Sequence, residues 1–211
     1  MPLIRKPPSA GSRTSPTAPD AAAVFAALAR GSDDERWAAA RAAAELPGSV
    51  PALEDALRRE RSPAVREALF SALAHIASPQ SVEAVLPFLR SDDASLRTEA
   101  SDALLAMKDV MWPYVAPLLR DPNVDVRILA CGLLRDMPGE VAVRLCCGVL
   151  DAEPEPNVCA AAVEVLAEVG ESSALPVLER CAKRFSDTPF LAFSIQMAID
   201  RIRSQASSPR G

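Results

Sequence analysis

The amino-acid sequence predicts an all-α fold: a solenoid of about six helix pairs wound into an α-α superhelix. Arg36, Arg66, Arg97 and Arg127 are separated by 30, 31 and 30 residues, and Cys159 continues the series 32 further on. A fixed period of this size is the signature of stacked supersecondary units. Apolar residues inside each unit recur at helical spacing, and no segment sustains the alternation of a strand.

Along the chain, residues 1–19 are rich in Pro, Ser and Thr without apolar periodicity and are expected to form a mobile tail. Folding is expected to begin at Asp20, a residue suited to an N-cap. The repeated contexts then align as "GSDDERWAAARAAAEL", "RSPAVREALFSALAHI", "SDDASLRTEASDALLAM", "DPNVDVRILACGLLRDM", "PEPNVCAAAVEVLAEV" and, more loosely, "SDTPFLAFSIQMAIDRI". Each unit holds two helical patterns. In "SVEAVLPFLR" the first places Val82, Val85, Leu86 and Leu89 on one face. A turn rich in Asp, Ser, Pro and Asn follows. The second helix aligns Leu96, Ala100, Ala103, Leu104 and Met107, matched one unit later by Val126, Ala130, Leu133, Leu134 and Met137.

A lone amphipathic pair cannot bury its stripe, so the units must stack into a continuous core over residues 20–204, followed by a short tail at 205–211. The alanines of the first unit, Ala38–Ala40 and Ala42–Ala44, permit close backbone approach. Pro87 and Pro117 are expected to bend the first helices, because proline removes an intrahelical hydrogen bond. Gly48, Gly139 and Gly170 are expected to close units.

The formal net charge of −5 is uneven: setting aside Arg5, Lys6, Arg13 and Arg210 leaves 19 basic against 28 acidic residues in the body. An acidic body is a poor platform for phosphate backbones, which excludes nucleic acid as the expected partner. Cys131, Cys146, Cys147, Cys159 and Cys181 form no regular framework, which points to reduced thiols in a cytoplasmic protein. The longest apolar stretch, "AAAVFAALA", is too short to span a bilayer, so no membrane role is expected.

The pattern resembles the HEAT-like repeats of the short bacterial type associated with phycobilisome (bilin) lyases. The segments "GSVPALEDALRRERSPAVREALFSALAHI" and "VLAEVGESSALPVLERC" carry the resemblance, with a Pro-x-Leu start, a Val-Arg pair opening the second helix and a Gly-bounded end. The resemblance implies that turn acids and second-helix arginines form a ladder between units. Asp92, Asp93, Asp121 and Asp125 are then expected to pair with Arg97 and Arg127. In the last unit the arginine position is apolar, around Leu191, as suits a capping repeat.

Candidate chemistry is sparse. His75 is the single histidine, and one imidazole cannot build a multi-histidine metal centre. Adjacent Cys146 and Cys147 point about 100° apart on a helix and read as small core residues. Eight glycines form no phosphate loop, so neither a cofactor nor a metal is expected. Trp37, Trp112 and Tyr114 are expected in the core. Positions five and nine after the repeat arginine are expected to face the concave surface, which makes Arg41, Glu45, Ser71, His75, Asp102 and Asp136 the candidate partner-binding strip.

These readings lead to a non-enzymatic scaffold or adaptor that takes a protein partner on its concave face, with a regulatory or signalling role. The repeat subtype implies an alternative, a bilin lyase or chromophore-handling subunit in which His75 or Cys159 contacts pigment. A third reading is a DNA-engaging HEAT-like protein, against which the acidic body argues.

Overall fold

A computed structural model describes residues 20–207, and among them all regular structure is helical. The first unit pairs α1 (Ala21–Arg30) with α2 (Asp33–Ala43), the second α3 (Val50–Arg59) with α4 (Pro63–Ile76), and the third α5 (Pro79–Val85) with α6 (Ala94–Ala106). The fourth pairs α7 (Lys108–Leu118) with α8 (Val124–Leu133), the fifth α9 (Gly139–Ala152) with α10 (Pro156–Val169), and the sixth α11 (Leu175–Arg184) with α12 (Pro189–Ser207). The expected all-α solenoid of six pairs is thus the observed one. Residues 1–19 and 208–211, including most of both expected tails, lie outside the described residues, and α12 continues past residue 204 to Ser207.

Local chemistry starts many of the helices. Asp20 accepts from the Ala22 N–H, Ser32 and Glu35 form a reciprocal capping box, and Asp93 and Asn123 cap α6 and α8. Prolines open α4, α5 and α10, where a missing N–H costs nothing. One of the two prolines expected to bend a first helix acts differently. Pro87 ends the α-helix rather than bending it: α5 stops at Val85 and a 3-10 segment, Leu86–Arg90, completes the unit. Pro117 lies inside α7 together with Pro113.

Of the three expected glycine stops, Gly170 closes its unit as expected and the other two differ. Gly48 adopts φ 75°, a left-handed conformation natural to glycine, in the turn before α3. Gly139 begins α9 instead of ending α8. Gly170 caps α10 with φ −70°, so its need for glycine is spatial: an added Cβ would lie 2.1 Å from the Leu166 carbonyl oxygen and 2.9 Å from Ile202 Cδ1.

Second helices pack on one another in chain order to form one layer, and first helices form the other. The core runs unbroken between the layers, with Leu53, Leu69, Leu104, Met111, Leu133 and Leu166 fully buried. Both predicted second-helix stripes are buried except Leu96, which is half-buried. Ala39, Ala40 and Ala43 are buried in α2, while Ala38 faces solvent. Cys146 is buried and Cys147 half-buried, in keeping with their reading as core residues.

Of the aromatics expected in the core, Trp112 and Tyr114 pack against it and Trp37 does not. Trp112 is half-buried, with its indole N–H enclosed and unpaired among the described residues. The Tyr114 hydroxyl reaches out to donate to Glu83 at 3.0 Å. Trp37 is 42% exposed and lies outside the core, because it follows Arg36 on the solvent side of α2.

The inter-unit ladder exists with a different register. Arg36 grips Glu60 through Nε at 2.7 Å and Nη2 at 2.9 Å, and Arg127 grips Glu153 at 2.8 and 2.9 Å. Arg66 pairs with Glu99 at 2.9 Å. Asp121 pairs with Arg90 and lends only its backbone carbonyl to Arg127; Asp93 serves as a cap, and Asp92 makes no ion pair among the described residues. The Arg97–Asp125 contact, at 3.9 Å, is the one expected pair that forms. The expected partners of Arg127 come too early: its guanidinium caps its own turn through the Asp121 carbonyl at 2.9 Å, then reaches across to the next unit's turn. Arg36 and Arg97 cap the Gly31 and Ser91 carbonyls in the same way.

The charge chemistry of the ladder is that of fixed ion pairs. The hydrogen bonds from Arg36 hold Glu60 down to about 2, despite the opposing effect of its burial. Burial acts to raise Glu153 and is outweighed by the hydrogen bonds from Arg127 and from the Glu155 N–H, so this carboxyl too lies below its ordinary range.

Candidate protein-binding face

Each second helix buries its stripe against the first-helix layer and turns the opposite ridge to solvent. Arg41 on α2, Glu45 in the turn that follows it, and Ser71 and His75 on α4 come together around one hollow of about 570 Å³. Trp37 and Glu67, not among the candidates predicted from sequence, line it as well. They stand one position after Arg36 and Arg66, one helical turn before Arg41 and Ser71, so the same periodicity extended backward finds them.

Two side-chain contacts lie within this hollow. The Arg41 guanidinium lies 4.9 Å from the Trp37 ring centroid in a cation–π contact. The Glu45 carboxylate lies 3.3 Å from His75 Nε2. The hollow thus presents an aromatic ring, a guanidinium, a hydroxyl, an imidazole and carboxylates to solvent.

Ser71 also lines a second trench, between α4 and α6, together with Asp102. Five of the six predicted strip residues therefore lie along two adjoining depressions. Asp136 stands apart from both. Helix α8 ends at Leu133 and tightens into a 3-10 turn, Leu134–Asp136. Three residues per turn instead of 3.6 shift the register, so Arg135 takes over the ridge and bridges to Glu164 at 3.4 Å and Glu168 at 3.1 Å on α10.

At the far end of the same layer, α12 exposes Phe190, Phe193 and Met197, which are 50%, 67% and 55% exposed. Leu191 is buried at the position taken by Val126 and Val158, so Ala192 stands where the repeat arginine would be. The last unit thus lacks the polar outer surface expected of a cap. With Trp37, these three are the exposed large hydrophobic residues of the described chain, and all four lie on second helices of the terminal units.

A third depression, of about 550 Å³, lies on the turn edge between α7 and α9. Asp121, Arg127 and Glu153 line it, but each is already spent on a ladder contact. The acid-rich stretch at residues 121–127 is therefore inter-unit structure.

Comparison with known proteins agrees with this architecture. The family description "HEAT repeats" matches residues 20–106 and 113–192, two segments separated at the turn between α6 and α7. No curated protein matches. Among solved structures, the chain is similar to an archaeal HEAT-like repeats protein from Thermococcus onnurineus NA1, at 14% identity over 86% of each chain with a TM-score of 0.50. It is also similar to an engineered protein, at 19% identity over 86% of this chain and 95% of that one with a TM-score of 0.43. A further similar structure is the complex of CpcE and CpcF of phycocyanin lyase from Nostoc sp. PCC7120, at 17% identity over 95% of this chain and all of that one, with a TM-score of 0.38. The family match spans most of the helical body, and with the repeated pairs and the ladder it establishes that the chain belongs to the HEAT-repeat family.

Proposed function

We propose that the protein is a non-enzymatic binding scaffold or adaptor that takes a protein partner on the concave face formed by its second helices. The observation that carries this reading is the convergence of Arg41, Glu45, Ser71 and His75, with Trp37, on one solvent-facing hollow. Repeat solenoids use extended surfaces of this kind for other macromolecules. An exposed tryptophan beside an arginine belongs to the residue types that dominate protein interfaces.

Acid–base catalysis by the recurrent carboxylates is disfavoured for a physical reason. A general acid or base works best with a pKa near the operating pH, whereas Glu60 and Glu153 are driven away from neutrality by their arginines.

Photo-crosslinking tests the reading directly. A crosslinker at Ser71 is expected to capture one protein in the native cell, and a crosslinker at Glu140, on α9 of the first-helix layer, is not. The charge reversals Arg41→Glu and Asp102→Lys are expected to weaken that complex. Capture from Glu140 alone, or an affinity indifferent to both reversals, overturns the proposal.

A further inference from the structure

The trench between α4 and α6 carries two carboxylates, Glu67 and Asp102, with no cation in its lining to offset them. Its volume is about 630 Å³, and its apolar lining comes from Phe70, Ala74, Ala103 and Ala106. Glu67 stands on the α4 side and Asp102 on the α6 side, both exposed. Among the described residues neither carboxylate makes a hydrogen bond or an ion pair, and the trench is lined by no lysine, arginine or histidine. Glu99 also borders it, but Arg66 already neutralises that carboxylate at 2.9 Å.

We infer that this trench is the seat for a basic side chain, lysine or arginine, presented by the partner polypeptide. Such a side chain is an apolar stem carrying a cationic head. Phe70, Ala74, Ala103 and Ala106 would cover the stem, and Glu67 and Asp102 would flank the head. A neutral apolar residue matches the floor but leaves both rim charges unpaired, and an acidic one adds a like charge beside them. Charge complementarity thus selects the occupant: a segment in which a basic residue stands beside apolar ones. The net negative body favours its approach at long range. The inference rests on the reading that the second-helix face binds a polypeptide, and it names the chemistry of the partner.

The test uses the whole protein and three short alanine-based peptides that differ only in a central Leu-Lys-Leu, Leu-Gln-Leu or Leu-Glu-Leu. Binding is measured by titration calorimetry, and contacts are located by backbone amide NMR shifts. The lysine peptide is expected to bind tightest and to shift the amides around Glu67, Asp102 and Ala106. The double variant Glu67→Gln/Asp102→Asn is expected to weaken it by about tenfold or more. Asp92→Asn/Glu140→Gln, which removes the same charge from other exposed sites, is expected to change it by less than about twofold. Ala106→Lys, which supplies a cation to the trench from within, is expected to displace the peptide. These positions are exposed, and equal thermal midpoints will establish that the variants fold.

Equal weakening by the two neutralised pairs, or equal binding of the three peptides, overturns the inference. If Ala106→Lys blocks the peptide while Glu67→Gln/Asp102→Asn leaves it unchanged, the face binds polypeptide without a basic seat, and this inference alone falls. A lysine peptide whose binding no face variant alters removes the inference and the face reading together.

Discussion

Arg184 and Cys159 are 3.8 Å apart, guanidinium to sulfur, and that proximity repairs a gap in the repeat. Cys159 occupies the position of the ladder arginines, whose guanidinium caps the carbonyl of the turn six residues earlier in Arg97 and Arg127. Here Arg184 enters from α11 and donates Nη2 to the Glu153 carbonyl at 2.9 Å, six residues before Cys159. It further donates to the Leu150 and Asp151 carbonyls at 2.7 and 2.9 Å. A cation from the following unit thus performs the task of the missing one.

Arg184→Met should therefore destabilise the C-terminal units by about 1–3 kcal/mol, because partly buried carbonyls lose a charged donor. Cys159→Arg should be harmful beside Arg184, through crowding and like charge, and less harmful in the Arg184→Met background. Urea denaturation of the four proteins of this cycle measures the coupling; strict additivity would show that the two residues do not share a role.

Acid should release the ladder. The folded-state pKa of Glu60 is lowered to about 2 from an ordinary 4.5, so its contribution is complete above the ordinary value and is lost as pH falls from there towards 2. Glu60→Gln is expected to cost about 1–3 kcal/mol at pH 7, with the gap to the natural protein narrowing below pH 4.5. A gap that is constant with pH in urea titrations counts against this account of the Arg36–Glu60 pair.

Thiol chemistry should follow burial. Burial pushes Cys131 up to about 12 and raises Cys146 as well, so neither holds a reactive thiolate near neutral pH. The hydrogen bond shared with Cys181, together with burial, raises Cys159; the reciprocal bond lowers Cys181, which is itself buried. Burial raises Cys147 as well, but this thiol is only half-buried and is therefore the one accessible to reagent. Ellman's reagent should consume one thiol in the folded protein, none in Cys147→Ser, and the rest only on unfolding.

Core and end positions should separate sharply in stability. Leu133→Ala empties a fully buried site and should cost about 2–5 kcal/mol. Phe193→Ala, at 67% exposure, should change stability by less than about 0.5 kcal/mol. A large cost for Phe193→Ala in thermal unfolding would mean that this end of the solenoid is covered in solution.

Much of the face was legible because periodicity is a local property. The positions five and nine after each repeat arginine placed Arg41, Glu45, Ser71 and His75 together before any coordinates, and the structure brings them to one hollow. Asp136 lies outside both depressions for a local reason invisible to a constant period: the 3-10 turn after Leu133 advances the register and brings Arg135 to the ridge. Trp37, expected in the core, is exposed by its ridge position just after Arg36.

By itself, the sequence determined the number of helix pairs, the caps that start them, and which stripe of each helix is buried. Those follow from turn chemistry and from apolar spacing within a few residues. Only the tertiary structure decided which acid each arginine grips, that Arg184 stands in for Cys159, and that the carboxylates of Glu67 and Asp102 find no partner among the described residues beside an apolar trench. Such pairings depend on how far one unit is rotated against the next, and that rotation is set by side-chain packing across the inter-unit core, where residues some 30 positions apart in the chain meet.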